Sequence, residues 1–356
     1  MKENTKICFT NQTFFIGIDV HKRNWTVTIR TNQLALKTFS MDPCPKTLFQ
    51  YMTSNYPGGS YHSVYEAGYC GFWIHDKLTE IGFNNIVINP ADVPTTNKEK
   101  YSKTDPVDSR KLARELEKGS LKGIYVPDLF HQQFRNLCRL RAQTVQNQTR
   151  TKNRIKSFIS LYGIKMPARS ELCHWSKSFI NWLESLEFAC SPGQTTLRLL
   201  IQDLQNQRHQ LLQITKEIRK QVKDPHIQPF IGYLRSVFGI GFVSAVTLYS
   251  ELIDIHRFPD FDHLASYVGL IPSVKASGEQ STTRGMTKRQ SSYLRSLLIE
   301  AAWIAVRRDP ALTLKYSELS RRMPKNKAII RIAKKLLSRI RYVWINQSPY
   351  IPAIVE

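Results

Sequence analysis

The sequence lacks the features of a secreted, disulfide-bonded or membrane-spanning protein. No run of about 18 uncharged apolar residues occurs, so neither a transmembrane helix nor a membrane partner is expected. The N-terminal segment MKENTKICFTNQTFFIGIDV lacks the basic start, apolar block and cleavage site of a signal peptide. The six cysteines are scattered without a CxxC pair, which favours reduced thiols and a cytoplasmic location. The nine histidines form no ligand-spaced cluster with them, which argues against a structural zinc site.

Acidic residues are also scarce, since 28 Asp and Glu stand against 51 Lys and Arg, a formal net charge of +23. No acidic residue occurs between Asp128 and Glu171, and the stretch from Arg284 to Arg341 holds 16 basic residues against three acidic ones. Such a charge stores self-repulsion unless a polyanion relieves it. Two separate basic stretches are typical of phosphate-backbone contacts, so they predict nucleic-acid binding over a merely solvated basic surface.

The first 127 residues predict an α/β domain. Apolar or alternating stretches at 14–20, 24–30 and 34–39 predict a three-stranded meander. The following patterns predict a helix at 45–56, a strand at 61–67, a helix at 71–82, a strand at 84–90 and a helix at 104–119. The order βββαβαβα indicates one mixed sheet covered by helices.

The rest of the sequence predicts a mainly helical structure. One long basic helix is expected at 128–164, irregular or short-helical chain at 165–193, and a loop at 275–292 between amphipathic basic helices. A heptad seam, which Gln207 interrupts, is formed by Leu197, Leu200, Leu204, Leu211, Ile214 and Ile218. This seam predicts either a coiled coil with a second subunit or a hairpin with the 128–164 helix.

Four acidic residues are candidate metal ligands. Asp105 precedes Pro106, which predicts a helix start with Asp105 as the N-cap and Asp108 at the third helical position. The same two side chains share one helix face and could converge on a metal ion. Asp19 and Glu66 each end a predicted strand, where sheet proteins often bind ligands, although each could equally be an ordinary strand-end residue.

Together these acids and the element order resemble the ribonuclease H-like fold in its RuvC-type, four-acid (DEDD) form. In that fold the first and fourth strands are neighbours, which would bring Asp19 and Glu66 together, and the last helix would add Asp105 and Asp108. Four oxygen ligands suit Mg²⁺ or Mn²⁺. Two such ions would stabilise both the attacking and the leaving oxygen of a phosphodiester.

Four motifs extend the resemblance over nearly the whole chain. They are GIDVHKRNWTVTI, YEAGYCGFWIHDKL, KTDPVDSRKLA and GLIPSVKASGEQSTTRGMTKRQSSYLRSLLIEAA. In this order they resemble the transposases of the one-ten family of insertion sequences, which are related to the Piv DNA invertase. The resemblance implies a RuvC-like domain at 1–127, a basic helical or coiled-coil linker at 128–230, a C-terminal transposase domain at 231–346 and a tail at 347–356.

The resemblance also implies an activity and its partners. Members are site-specific recombinases that excise and insert their element, act on donor and target DNA, and use an RNA from the element as a guide. A homo-oligomer, dimer or tetramer, and a nucleoid-associated place in a bacterial or archaeal cell are expected. The implied nucleophile is Ser277, which would form a phosphoserine link to DNA. Ala276 departs from the family pattern, Ser273 and Ser281 lie close by, and a turn hydroxyl is the alternative for Ser277.

Candidate nucleic-acid contacts come from the basic stretches and one glycine turn. The candidates are Arg135, Arg139, Arg141, Arg150, Lys152, Arg154, Lys156, Arg284, Lys288 and Arg289. Gly239 and Gly241 flank Ile240 between two predicted helices and resemble a helix-hairpin-helix turn, which binds one phosphate. A tight turn that needs glycine dihedrals is the alternative. His21 could contact a phosphate or simply be a surface residue.

Three other functions compete with the recombinase. A junction-resolving nuclease would use the same four acids with water as the nucleophile, and bound protein on the product DNA would separate the two. A non-catalytic nucleic-acid-binding protein would not need all four acids. A sugar-kinase-like ATPase also begins with a strand carrying GID, but this sequence lacks the glycine-rich phosphate loops that ATP binding needs.

Overall fold

The computed structural model describes residues 8–94, 104–277, 280–286 and 291–352, and for 272–277 and 280–286 only the backbone. The chain divides into two compact units, Met1–Val126 and Pro127–Glu356. Among the described helices, none combines the length and apolar character that crossing a bilayer requires.

A five-stranded mixed sheet forms the centre of the first unit. Its strands are β1 (Thr13–Val20), β2 (Trp25–Thr31), β3 (Leu34–Met41), β4 (Ser60–Glu66) and β5 (Asn84–Ile88). Their spatial order is β3-β2-β1-β4-β5. The first three strands pair antiparallel, whereas β4 pairs parallel with both β1 and β5. The mixed sheet predicted from the alternating patterns is thereby confirmed.

Helices cover the sheet because its strands are apolar on both faces. Phe14, Ile16 and Ile18 of β1 are fully buried in one core, which also takes residues of α1 (Pro45–Asn55) and α2 (Trp73–Glu80). Val64 of β4 belongs to a second cluster on the other face, together with Leu112 of α3 (Asp105–Glu117). Successive side chains of a strand point to opposite faces, so residues two apart share the α3 face.

Gly17 allows α3 to pack directly on β1. A Cβ at this position would lie 2.2 Å from the Ser109 carbonyl oxygen and 2.5 Å from the Ala113 nitrogen. The buried Ser109 hydroxyl also lies 2.9 Å from the Thr28 hydroxyl of β2. The missing side chain and this hydrogen bond fix the first turn of α3 beside the end of β1.

The start of α3 differs by one residue from the sequence prediction. Thr104, not Asp105, is the N-cap, and its carbonyl accepts from the backbone N–H groups of Val107 and Asp108 at 2.9 and 3.0 Å. The prediction of Asp105 as N-cap was therefore wrong. Proline is tolerated anywhere in a first turn, where backbone N–H groups have no helical partner, so Pro106 does not fix the boundary. Both aspartates still lie in that turn, near the positive end of the helix dipole.

Two long helices form a hairpin in the second unit. α4 (Leu129–Leu161) packs along α6 (Ser191–Gln221), and the short α5 (Lys177–Glu184) covers one end of the pair. The intramolecular hairpin expected as one of two alternatives is thus present, and pairing with a second subunit stays a prediction. Gln207 interrupts the apolar seam with a polar side chain. Its amide nitrogen is accommodated there because it donates to the Thr151 hydroxyl at 3.1 Å and to Asp203 at 2.9 Å.

The remainder of the second unit is mainly helical, as predicted. Its helices are α7 (Gln228–Ser236), α8 (Phe242–Leu252), α9 (Phe261–Val268), α10 (Ser292–Ala305), α11 (Pro310–Arg322) and α12 (Lys325–Ile345). Buried residues of these helices form one large core, with Leu336, Leu337 and Ile340 of α12 fully enclosed. The described tail packs on this core, because the Tyr350 backbone N–H donates to the Ser236 hydroxyl at 2.7 Å.

The predicted loop at 275–292 contains a β-hairpin instead. β6 (Pro272–Ser277) pairs antiparallel with β7 (Gln280–Met286), and Ser277 lies opposite Gln280. The loop prediction was wrong for these residues because it relied on their polarity and overlooked their strand-forming side chains. Thr282 and Thr283 are β-branched, and two residues between strands, with glycine first, are typical of a hairpin.

Candidate functional site

Two carboxylates end adjacent strands on the α3 side of the sheet. Ile18 of β1 is opposite Tyr65 of β4, so Asp19 and Glu66 follow next to each other in two parallel strands. Asp19 comes two residues after Gly17, and Glu66 two residues after Val64, so both belong to the face that α3 covers. The strand register therefore explains why these two acids are neighbours at the carboxyl edge of the sheet.

The first turn of α3 brings two further acids to this edge. An Asp105 carboxylate oxygen, an Asp19 carboxylate oxygen and a His21 ring nitrogen all lie within 4.8 Å of one another. His21 Nε2 lies 3.4 Å from Asp19 Oδ2 and 3.5 Å from Asp105 Oδ1. The Asp19 side chain is 23% exposed and that of Asp105 50% exposed, so the group opens to solvent on the helix side.

Asp108 belongs to the same electrostatic group. Burial raises the pKa of Asp19, and the negative charges of Asp105 and Asp108 raise it further, against the opposing influence of His21. Asp108 itself is held by Lys111, whose Nζ lies 3.2 Å from Asp108 Oδ1 and whose side chain is only 8% exposed. We call Asp19, Glu66, Asp105 and Asp108 the acidic edge.

The acidic edge has the donor set of a divalent-cation site. Carboxylate oxygens are the ligands that Mg²⁺ and Mn²⁺ prefer. Burial is the main cause of the raised pKa of Asp19, and repulsion from the Asp105 and Asp108 carboxylates adds to it, so a bound cation would offset both. The residues present therefore fit a divalent metal ion, whose identity the donor set leaves open between magnesium and manganese.

Sequence reasoning missed two residues at the acidic edge. His21 was weighed only as a phosphate contact or a surface residue, although it follows Asp19 by two positions. Its backbone N–H donates to the Asn24 carbonyl at 3.2 Å in the turn between β1 and β2, which aims the ring back at Asp19. Lys111 follows Asp108 by three positions on α3, and that spacing was the available signal.

The candidate nucleophile lies in the β6–β7 hairpin of the second unit. Ser277 is the last residue of β6, Ser273 pairs with Arg284, and Ser281 pairs with Ala276. These statements concern the backbone, because the side chains of Ser277, Ser273, Ser281 and Arg284 are outside the described residues. Lys288 and Arg289 also lie outside them, so all these assignments stay predictions.

Three of the predicted nucleic-acid contacts on α4 have partners within the second unit. Arg139 donates from Nε and Nη2 to the two oxygens of the buried Glu251 at 2.7 and 2.8 Å. Arg135 donates from Nε to the Ser250 carbonyl at 3.0 Å, and Arg141 Nε donates to the Thr215 hydroxyl at 3.2 Å. These arginines hold α4 against α8 and α6, a structural use that the sequence did not reveal.

The other basic candidates on α4 are Arg150, Lys152, Arg154 and Lys156. Arg150 and Arg154 are exposed, with Arg150 Nη1 3.4 Å from the Asn147 side-chain oxygen. Lys152 and Lys156 lie over the ring of Trp175. Their predicted role in phosphate contact stays a prediction.

The glycine turn has a structural reason of its own. Gly239 has φ of +87°, and a Cβ there would lie 2.2 Å from the Ala301 carbonyl oxygen of α10. Gly241 is the N-cap of α8 with extended backbone. Gly239 is therefore required for packing, and phosphate binding by this turn stays a prediction.

Comparison with family models gives two matches along the chain. A model described as "Transposase IS116/IS110/IS902 family" matches residues 232–317. A second model, of the DEDD transposases of IS110 and described as "Transposase", matches residues 16–164. The second match includes all four acids of the acidic edge, and the first includes Ser277.

Curated relatives are similar over most of the chain. A putative transposase, y4qE, of Sinorhizobium fredii is 28% identical over 67% of this chain, and the chain spans 57% of its length. A second putative transposase of that organism, y4rJ, is 28% identical over 82% of this chain and 78% of its own length. The transposase for insertion sequence element IS1533 of Leptospira borgpetersenii is 24% identical over 94% of this chain and 96% of its own length.

Proposed function

This chain belongs to the IS110 family of transposases, and on that premise we propose that it is a metal-dependent recombinase that cuts and rejoins DNA for an insertion sequence. The observation that carries the proposal is the convergence of Asp19 and Asp105, with the charge of Asp108, at one edge of the first sheet. Acids that repel one another are expected where a divalent cation binds.

The first unit is proposed to have the RuvC-type form of the ribonuclease H-like fold. Support comes from the sheet order β3-β2-β1-β4-β5, from the parallel pairing of β1 with β4, and from α3 on the face that carries the acids. In this arrangement two strand ends and one helix turn supply all four carboxylates. Loss of any one element would dismantle the site.

The four carboxylates are proposed to hold Mg²⁺, or Mn²⁺ in its place. When bound, such ions stabilise the charge on the attacking and leaving oxygens of a phosphodiester. The residues of this chain have separate tasks in that site. Asp19 and Glu66 present oxygens from the rigid sheet edge, Asp105 closes the site from α3, and Lys111 fixes the orientation of Asp108.

Ser277 is proposed as the nucleophile. Its hydroxyl oxygen would attack a DNA phosphorus, forming a serine–phosphate ester while the bond to one deoxyribose oxygen breaks. That oxygen leaves as a hydroxyl and takes up the proton that the serine loses. The reverse reaction with a hydroxyl of another strand rejoins DNA without an energy cofactor, because the number of phosphate esters is conserved.

The proposed substrates are donor and target DNA, and an RNA from the element is proposed as guide. Support comes from the net charge of +23 and from the exposed basic residues of α4, together with the family resemblance. A homo-oligomer, dimer or tetramer, is proposed on the family resemblance alone. RNA that co-purifies with the protein, once sequenced, would test the guide.

The decisive experiment is a search for a covalent protein–DNA adduct. The purified protein is incubated with DNA carrying the element's end in Mg²⁺ or Mn²⁺, and products are separated on denaturing gels. Wild-type protein is expected to form an adduct and Ser277→Ala to form none, while the matched controls Ser273→Ala and Ser281→Ala retain it. An adduct in Ser277→Ala would place the nucleophile elsewhere, and cleavage without any adduct would favour a nuclease that uses water.

A further inference from the structure

Three cationic side chains surround one tryptophan on the helical hairpin. Lys152 Nζ and Lys156 Nζ of α4 lie 5.6 and 5.9 Å from the centre of the Trp175 ring. Arg208 of α6 donates from Nη2 to the Trp175 carbonyl at 2.5 Å. We call Lys152, Lys156, Arg208 and Trp175 the Trp175 cluster. Its members come from both long helices and from the segment that precedes α5.

The cations of the Trp175 cluster have no anionic partner among the described residues. None of the three takes part in an ion pair there, in contrast to Arg139, which binds the buried Glu251. The nearby carboxylate of Asp203 accepts hydrogen bonds from Thr151 and Gln207 instead. Burial, and then the neighbouring charges of Arg208 and Lys156, lower the pKa of Lys152. Like charges are therefore held together without compensation.

The backbone conformation and the neighbours of Trp175 fix its position in the cluster. Trp175 has φ of +69°, a conformation that strains any residue except glycine. The ring edge packs on Phe179, which is fully buried, with 5.1 Å between ring centres. Ser176 caps α5 by accepting from the Phe179 N–H at 3.1 Å. Contacts to Phe179, to Arg208 and through the Ser176 cap thus hold the strained residue, and both lysine ammonium groups lie over its ring.

We propose that Lys152, Lys156 and Arg208 bind the non-bridging phosphate oxygens of a nucleic-acid backbone, and that Trp175 positions the two lysines for this contact. A phosphodiester supplies the negative charge that the cluster lacks, and lysine and arginine are the usual donors to phosphate. Both lysines already lie over the ring, so contact with phosphate is favoured over stacking of a base. The site would therefore contribute affinity without reading sequence.

This proposal rests on the proposed function for its partner, nucleic acid, and not on catalysis. Phosphodiester chemistry is shared by DNA and RNA, so the test needs an arm for each. Binding of the full-length protein to duplex DNA and to a structured RNA of equal length is measured by fluorescence anisotropy over a range of salt concentrations. The slope of log affinity against log salt reports the number of phosphates neutralised.

The first variant is the double substitution Lys152→Gln/Lys156→Gln. Each lost phosphate contact is expected to reduce the magnitude of the slope by about 0.9 on duplex DNA, and to reduce the slope on the structured RNA in the same direction. The matched control is Lys216→Gln/Lys220→Gln, which removes two exposed charges from α6. The proposal expects a lower slope in the cluster variant only, on one or both nucleic acids, and the affected arm identifies the ligand. Equal slopes for the wild type and the cluster variant, or equal losses in cluster variant and control, would overturn it.

The positioning role of Trp175 is tested by two substitutions of that residue. Trp175→Phe keeps an aromatic ring under the lysines and should retain the wild-type affinity within about twofold, whereas Trp175→Leu should lose about fivefold, since an aromatic–cation contact is worth on the order of 1 kcal/mol. A purely structural role would lower affinity and melting temperature in parallel for both. Equal affinities of the two variants would refute the positioning role. If the wild type bound neither nucleic acid, the proposed function would fail as well, so the two failures are distinguishable.

Discussion

The acidic edge of the first unit and the Trp175 cluster of the second collect like charges of opposite sign. The carboxylates of Asp19, Asp105 and Asp108 repel one another at a sheet edge. The cationic side chains of Lys152 and Arg208 repel each other on a helical hairpin. In both places rigid backbone holds the charges, and the described contacts leave the repulsion only partly relieved, by His21 and Lys111 at the acidic edge.

Other charged groups of this protein are arranged differently. Glu251 is buried with Arg139 against both of its oxygens, and Asp309 is buried with Arg339. In both places the buried carboxylate has a cation beside it, since Arg135 Nε also lies 3.8 Å from Glu251 Oε2, and these contacts serve packing. A buried charge beside its counterion therefore indicates a structural role, whereas gathered like charges indicate a ligand of opposite charge.

Removing one acid from the acidic edge should have the largest effect on activity. Asp19→Asn takes away a proposed metal ligand at the centre of the group, and strand cleavage should fall by more than about 100-fold, because even loss of a group behind a metal ligand costs about 10- to 100-fold. Single-turnover cleavage of end-labelled DNA measures this. The control is Asp42→Asn, an exposed acid outside the group, which should cleave normally. Normal cleavage by Asp19→Asn would show that the acidic edge does not need this carboxylate for activity.

Moving α3 should have the next largest effect. Gly17→Ala places a methyl group against the Ser109 carbonyl, so α3 must shift and carry Asp105 away from Asp19. We expect about 1–3 kcal/mol of lost unfolding free energy from overpacking, and up to about 100-fold slower cleavage from the misplaced ligand. Chemical denaturation and the cleavage assay measure the two.

A second glycine provides the control for that substitution. Gly232 lies in α7, and a Cβ added there would meet no atom within 4 Å, so Gly232→Ala should stabilise the second unit by up to about 1 kcal/mol and leave cleavage unchanged. A stable, fully active Gly17→Ala protein would show that α3 does not need its close contact with β1.

Loss of Lys111 should have a moderate effect. Lys111→Met keeps the buried stem but removes the charge that orients Asp108, so cleavage should fall by about 10-fold, the low end for a group behind a metal ligand. Raising the Mn²⁺ concentration should restore part of the rate. Lys118, which pairs with Glu115 at the far end of α3, offers the matched control Lys118→Met. Equal cleavage rates in the two variants would show that Lys111 has no special role in orienting Asp108.

The smallest expected effect is on stability without metal. Asp105→Asn removes a repulsive charge near Asp19 but also a favourable charge at the positive end of the α3 dipole, so the free energy of unfolding of the metal-free protein should change by no more than the roughly 0.5 kcal/mol typical of surface substitutions. Added Mn²⁺ should stabilise the wild type and not the variant, because only the wild type binds it tightly. Thermal unfolding with and without chelator measures both, and a variant that gains as much from Mn²⁺ as the wild type would contradict the account.

Local sequence patterns predicted much of the fold, and the features that they did not predict depend on tertiary contacts. Strand alternation and the strand-end positions of Asp19 and Glu66 indicated the sheet and the edge where both acids lie. The direct contact of α3 with Gly17 depends on residues far apart in the chain, so no local pattern predicts it. His21 was missed because its role depends on contact with Asp105, which lies 84 positions later in the chain.

The second unit shows the same limit in another form. The heptad pattern predicted an apolar helical seam but not its partner, because a leucine stripe fits a neighbouring helix or another subunit equally well. The ion pairs of Arg135 and Arg139 with Glu251 were also hidden, since exposed and paired arginines have the same sequence signature. The polar composition of 272–286 masked a hairpin whose backbone pairing is regular.

The central claim, that the acidic edge binds divalent metal, is tested most directly by anomalous diffraction from crystals of the protein soaked in Mn²⁺. The account predicts an anomalous peak close to oxygens of Asp19 and Asp105, at a distance near the roughly 2.0–2.1 Å typical of Mg²⁺ sites, and no such peak in Asp105→Asn crystals. An empty acidic edge in crystals that bind Mn²⁺ elsewhere, or an unchanged peak in the variant, would contradict it.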